Sequence, residues 1–158
     1  MLKEPGPFLL AVISGILWVL VFPRFNFEIL AWFAFIPLLS AIETKTPQRS
    51  ALLGFIFGMV FYSWGLNWVT NTMINYGGLL PIVSFMVLGL LAAYLSFYTA
   101  LFCYLIRRVC KDNRGLVFLF APVLWTALEY IRSTHSEFGF SWLGLGYSQF
   151  KTLPVIQM

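Results

Sequence analysis

Leu79 to Ile106, LLPIVSFMVLGLLAAYLSFYTALFCYLI, runs for 28 residues without a charged side chain. A helix over that run is roughly 42 Å long at 1.5 Å per residue, more than a bilayer's hydrocarbon core, so it must tilt or project. Within it Gly89, Ala93, Ser96 and Ala100 fall at the spacing of a small-residue stripe on one helix face. Thr70 to Gly78, just before the run, carries no charge, whereas Arg107 to Arg114, just after it, carries four positive residues and one negative. The run therefore connects a neutral side to a basic one.

The rest of the chain agrees. Of 158 residues 60% are hydrophobic and only 10% charged, and the mean hydropathy is +0.85. That leaves too few polar side chains to cover a soluble globule, and the expected fold class is all-α integral membrane. Ten Lys and Arg against six Asp and Glu give +4. These positives punctuate apolar runs instead of lining one surface, which argues against nucleic acid as a partner and for loop charge beside a membrane. Cys103 and Cys110 match no zinc or redox spacing and read as two unpaired thiols; no metal site or other cofactor is expected.

Outward from the long run, further spans are expected at about 8–22, 29–42, 51–69 and 115–131, five transmembrane helices with 79–106. The first resembles a secretory signal, but no small-x-small cleavage pattern follows it, so it is read as retained. Pro23 to Glu28 is a turn, and the first two runs are short enough to need local thinning or flanking aromatics. The third carries Gly54 and Gly58, a GxxxG for close helix contact, and closes in Tyr62, Trp64 and Trp68, an interfacial aromatic belt. Asn67, Asn71 and Asn75 share a face, either as interhelical hydrogen bonders or as the lining of a polar site. Glu129 and Arg132, at i and i+3, share a face as well, either as a local ion pair at a helix end or as a ligand-binding pair.

With the N-terminus cytoplasmic, five crossings place Lys3, Lys45, Arg49, Arg107, Arg108, Lys111 and Arg114 inside and Arg24, Arg132 and Lys151 outside. Seven positives against three obeys the positive-inside rule, and the opposite orientation breaks it. Glu129 to Phe150, EYIRSTHSEFGFSWLGLGYSQF, then lies on the outer face, the periplasm of a bacterium. It is too short and Gly-broken for another ordinary span and reads as a re-entrant or interfacial segment, residues 132–158 ending in the start of a further apolar segment. Glu129, Arg132, Trp142, Tyr147 and Gln149 are its candidate lipid-contact or helix-end positions. Ser133, His135, Ser136 and Glu137 supply the residue types of a serine hydrolase, yet near neighbours rarely converge on one point, and no catalytic residue is assigned.

FPRFNFEILAWFAFIPLL, GFIFGMVFYSWGLNWV, AAYLSFYTALF, APVLWTALEYIRS and GFSWLGLGYSQ occur here in that order, and in order and spacing the chain resembles the apolipoprotein N-acyltransferase family over nearly its whole length. The resemblance implies a bacterial inner-membrane enzyme that moves an acyl chain from a phospholipid donor to the α-amino group of a lipoprotein's diacylglyceryl-cysteine. It also implies a periplasmic nitrilase-like domain with a Cys nucleophile and Glu and Lys partners. Ser141 stands where the family usually has Pro. No nitrilase-like domain lies within these residues, and Leu153 to Met158 opens an apolar segment that breaks off, so the chain is expected to be an N-terminal portion, inactive alone. Two other readings are a non-enzymatic membrane scaffold for a separately encoded hydrolase-like partner, and a small transporter, which the lack of an internal repeat disfavours.

Overall fold

The computed structural model describes residues 5–111, 113–134 and 139–151. Among them the chain is helical throughout, with no strand. Six α-helices follow one another: α1 (Pro5–Val21), α2 (Ile36–Ile42), α3 (Pro47–Gly65), α4 (Asn67–Asn75), α5 (Pro81–Cys110) and α6 (Arg114–Thr134). Short 3-10 turns occupy Glu28–Trp32 and Leu145–Gln149.

Proline sets most of the starts. Pro47 and Pro81 stand in the first turns of α3 and α5, where a missing N–H costs nothing. Thr46 caps α3, its Oγ1 accepting from the Arg49 N–H at 3.4 Å. α1 stops at Val21 because Pro23 disfavours helical backbone at Phe22. The turn that follows holds Arg24 at φ 136° and Asn26 at φ 57°; the second suits asparagine, while the first is strained for any side chain.

α3 and α5 form the central pair. A Cβ on Gly54 would stand 2.5 Å from the Thr99 carbonyl oxygen, and one on Gly58 would collide with the Thr99 hydroxyl, so both glycines are what lets the backbones close up. Thr99 Oγ1 donates across the interface to the Gly54 carbonyl at 2.8 Å. The face that α5 presents is Ala92, Ser96, Thr99 and Cys103, all buried. This corrects the expected stripe: Ser96 belongs to it, but a Cβ on Gly89 would meet nothing within 4 Å. Cys103 and Cys110 are both buried and unbridged. α1 packs on α3 through Gly15, and Trp18, fully buried, gathers Phe35, Phe57, Phe61 and Trp125 around it with ring centroids 4.6–6.0 Å away.

Two expected spans are not single helices. Residues 29–42 divide into the 3-10 turn and α2, because Pro37 cannot donate to the Phe33 carbonyl and its ring crowds that position. The third span continues past Gly65 into α4 with a bend of 48°, so most of the expected loop Thr70–Gly78 is helix. Buried Leu66, at φ −101° and ψ 8°, forms the corner. By length and composition two helices, α5 and α6, are apolar enough to cross a membrane, or three if the bent α3–α4 pair is one broken span and not a re-entrant loop; α1 and the stretch Glu28–Ile42 are shorter apolar helices.

Candidate functional site

At the end of the bundle where α3 breaks and α6 stops, residues 139–151 fold back across the helix ends. The anchor is Arg132, whose side chain is only 2% exposed. Its Nη1 donates to the Trp142 carbonyl at 2.9 Å, its Nη2 lies 3.8 Å from Glu129 Oε1, and its guanidinium carbon stands 5.7 Å from the centre of the Tyr62 ring. Glu129 Oε1 accepts from the Leu145 N–H at 2.8 Å, and the Arg132 carbonyl accepts from the Phe140 N–H at 2.8 Å. One i, i+3 pair thus holds three backbone groups of the returning segment. A buried guanidinium is tolerable only with such partners.

The segment is tied to the rest of that end as well. Gln149 Nε2 donates to the Glu28 carbonyl at 3.3 Å, and Lys151 Nζ approaches Glu28 Oε1 at 3.9 Å. Leu143, at φ 60°, reaches over Gly65, where a Cβ would come within 2.6 Å of its Cδ1. Trp142 meets Trp68 of α4 at 5.1 Å between ring centroids.

Between this segment, the Pro23–Phe25 turn and the α3–α4 corner lies an open groove of about 1030 Å³. Its walls are Val19, Phe22, Trp64, Trp68, Leu143, Tyr147 and Phe150, with Arg24, Asn71 and Ser141 as its polar members. An open apolar trough with one cation and one carboxamide matches an amphiphile carrying an anionic or polar head. The five candidate positions divide accordingly: Glu129, Arg132 and Gln149 hold the segment down, while Trp142 and Tyr147, both exposed, form groove wall.

Sequence reasoning passed over Arg24, the groove's cation. Its signal was a charged residue isolated in a Pro-Asn turn between apolar runs. Asn71 enters as lining, and among the described residues Asn67 is engaged within α4, by Thr70 Oγ1. Of the Ser133, His135, Ser136, Glu137 set, Ser133 donates to the Tyr130 carbonyl at 2.9 Å, and the other three lie outside the described residues, as does Leu153 to Met158. Among the described residues no group of His, Cys, Asp and Glu is arranged to hold a metal ion.

Residues 14–158 match the family described as apolipoprotein N-acyltransferase N-terminal domain. The chain belongs to the apolipoprotein N-acyltransferase family. An apolipoprotein N-acyltransferase of Geobacter metallireducens is 44% identical over 96% of the chain, one of Pasteurella multocida 34% over 94%, and one of Photobacterium profundum 35% over 91%. The chain spans 28–29% of the length of these curated relatives. The groove, its anchoring pair and the basic end all fall within the stretch shared with apolipoprotein N-acyltransferases.

Proposed function

We propose that this chain is the membrane portion of an apolipoprotein N-acyltransferase, contributing lipid access and a platform for a catalytic domain supplied by residues beyond these 158. The complete enzyme would take an acyl chain from a phospholipid and form an amide with the amino group of a diacylglyceryl lipoprotein. In this reading the bundle sits in the bacterial inner membrane with the N-terminus cytoplasmic, α1 and the α2 region add two short crossings to those of α3–α4, α5 and α6, and the returning segment faces the periplasm. Charge supports that orientation: the loops 43–49 and 107–114 hold six Lys and Arg against two Asp and Glu.

The groove carries the proposal. It is an apolar trough open at the end opposite the basic loops, walled by the aromatic segment and rimmed by Arg24, as an approaching phospholipid requires. Chemistry needs a nucleophile with a base in reach, and neither cysteine fits: Cys103 is buried against Gly54, and Cys110 ends α5 at the basic end. The purified 158-residue chain, given phospholipid and a diacylglyceryl-peptide, is expected to form no N-acylated product, and product formation would overturn the proposal. In the complete enzyme, Trp142→Ala is expected to raise the KM for phospholipid with kcat little changed; an unchanged KM would remove the groove from lipid access.

A further inference from the structure

The opposite end of the bundle carries a second opening, of about 350 Å³, between the end of α2, the last turns of α5 and the first turns of α6. Among the described residues Arg107, Lys111 and Arg114 line it with one carboxylate, Glu43, which Arg114 Nε meets directly, and its floor is apolar, from Leu39, Ile106 and Val117 among others. The described residues on both sides of it are held in place. Asn113 Oδ1 caps α6 by accepting from the Leu116 N–H at 3.2 Å. Lys111 sits at φ 48°, a costly conformation for a side-chain-bearing residue, and its carbonyl accepts from Arg107 Nη1. Arg107 Nε donates to the Lys45 carbonyl at 3.0 Å, so the guanidinium is fixed between two chain segments. Beyond the opening, Phe118, Leu119 and Val123 of α6 present exposed apolar surface along the helix.

We propose that this opening binds one anionic diacyl phospholipid, its phosphate and glycerol among Arg107, Lys111 and Arg114 and its acyl chains along α6, as a lipid separate from any acyl donor. By sequence the loops 43–49 and 107–114 that surround it hold six Lys and Arg against two Asp and Glu, an excess positive charge that a zwitterionic headgroup does not match and an anionic one does. Guanidinium forks suit phosphate oxygens, and an apolar floor directly beneath the cations suits the carbon attached to a phosphate more than a free ion. The inference rests on the membrane reading of the bundle but not on acyl transfer.

The test is native mass spectrometry of the intact protein, extracted in mild detergent and titrated with dioleoylphosphatidylglycerol, with dioleoylphosphatidylethanolamine, and with inorganic phosphate as competitor. One phosphatidylglycerol should bind at least tenfold more tightly than phosphatidylethanolamine, and millimolar phosphate should not displace it. Lys111→Gln with Arg114→Gln, both exposed in the fold, should weaken that binding by roughly 25-fold, about fivefold per charge removed. Arg108→Gln removes a neighbouring exposed charge that does not line the opening and should change binding less than twofold. Equal affinity for the two lipids, an unaffected double variant, or an equal loss in Arg108→Gln would overturn the site, the last by showing a diffuse charged surface. Displacement by phosphate alone would also overturn it. Each outcome is independent of whether N-acylated product forms, and failure of the protein to float with liposomes would separately sink the membrane reading.

Discussion

At one end of the bundle Arg132 is 2% exposed and engages Glu129, the Trp142 carbonyl and the Tyr62 ring. At the other, Arg114 is 84% exposed and meets Glu43 directly at the surface. The stretches at the first end carry as many acids as bases by sequence (Arg24, Arg132 and Lys151 against Glu28, Glu129 and Glu137), whereas loops 43–49 and 107–114 hold a net +4, equal to that of the whole chain. Charge is therefore used in two ways within one small bundle. Where it is buried it fixes backbone, and the returning segment takes its shape from it. Where it is exposed it is left as a field, suited to orienting the bundle and to attracting anions.

The sharpest way to break this contrast is Arg132→Ala. Removing one partner of a buried, hydrogen-bonded charge pair costs about 3–5 kcal/mol, because the remaining carboxylate and carbonyl lose their partner without regaining water. Thermal unfolding in detergent should show a loss of that size, and limited proteolysis should find new cleavage within residues 139–151. A loss below about 1 kcal/mol would mean that Arg132 is no anchor and that the two ends differ only in appearance. Lysine is not expected to rescue it, since one ammonium cannot reproduce the planar fork that reaches both Trp142 and Glu129.

How much of this end was legible in the sequence follows from the nature of its contacts. The pairing of Glu129 with Arg132 was open to reading because i, i+3 geometry is fixed by the helix itself. Its partners were not, because the Trp142 carbonyl and the Leu145 N–H are backbone groups with no side-chain signature. Gly54 and Gly58 announced a close helix contact, and the structure puts them there. The matching face on α5 was misread, since a helix of 30 residues carries small residues on more than one face and periodicity alone does not say which face meets a neighbour. Composition foretold the helical class, but not the break at Pro37 or the bend at Leu66, where tertiary packing of short segments overrode a simple count of apolar runs.

A smaller effect separates the two contacts that Glu129 makes. Its hydrogen bond from the Leu145 N–H is 2.8 Å long, while Arg132 Nη2 stands 3.8 Å away, beyond hydrogen-bond length. Glu129→Gln keeps an oxygen that accepts from Leu145, and Glu129→Ala keeps nothing. The alanine variant should lose about 2–3 kcal/mol in the same unfolding measurement and the glutamine variant about 1 kcal/mol, the glutamine loss being the contribution of the charge and the difference between the two being the hydrogen bond that glutamine keeps. Equal losses would assign the carboxylate's whole role to its charge, and make the anchor an ion pair before it is a backbone clamp.

The least effect is expected from the exposed pairs, and they test whether burial or mere pairing distinguishes the ends. Lys151 and Glu28, at 3.9 Å, belong to the groove end, and Arg114 and Glu43, at 2.5 Å, to the basic end. Distance alone ranks the second pair far higher. Exposure removes that advantage, because Arg114 at 84% and Lys151 at 54% are surrounded by water, where ion pairs are worth little and are screened by salt. Lys151→Gln should therefore shift stability by less than about 1 kcal/mol and Arg114→Gln should leave the unfolding midpoint unchanged, and raising the salt to molar levels should erase any shift, while leaving the Arg132→Ala loss largely in place. A salt-resistant loss in Lys151→Gln would show that the returning segment is pinned at its far end too, and the groove would then be held by both margins instead of hinging on Arg132.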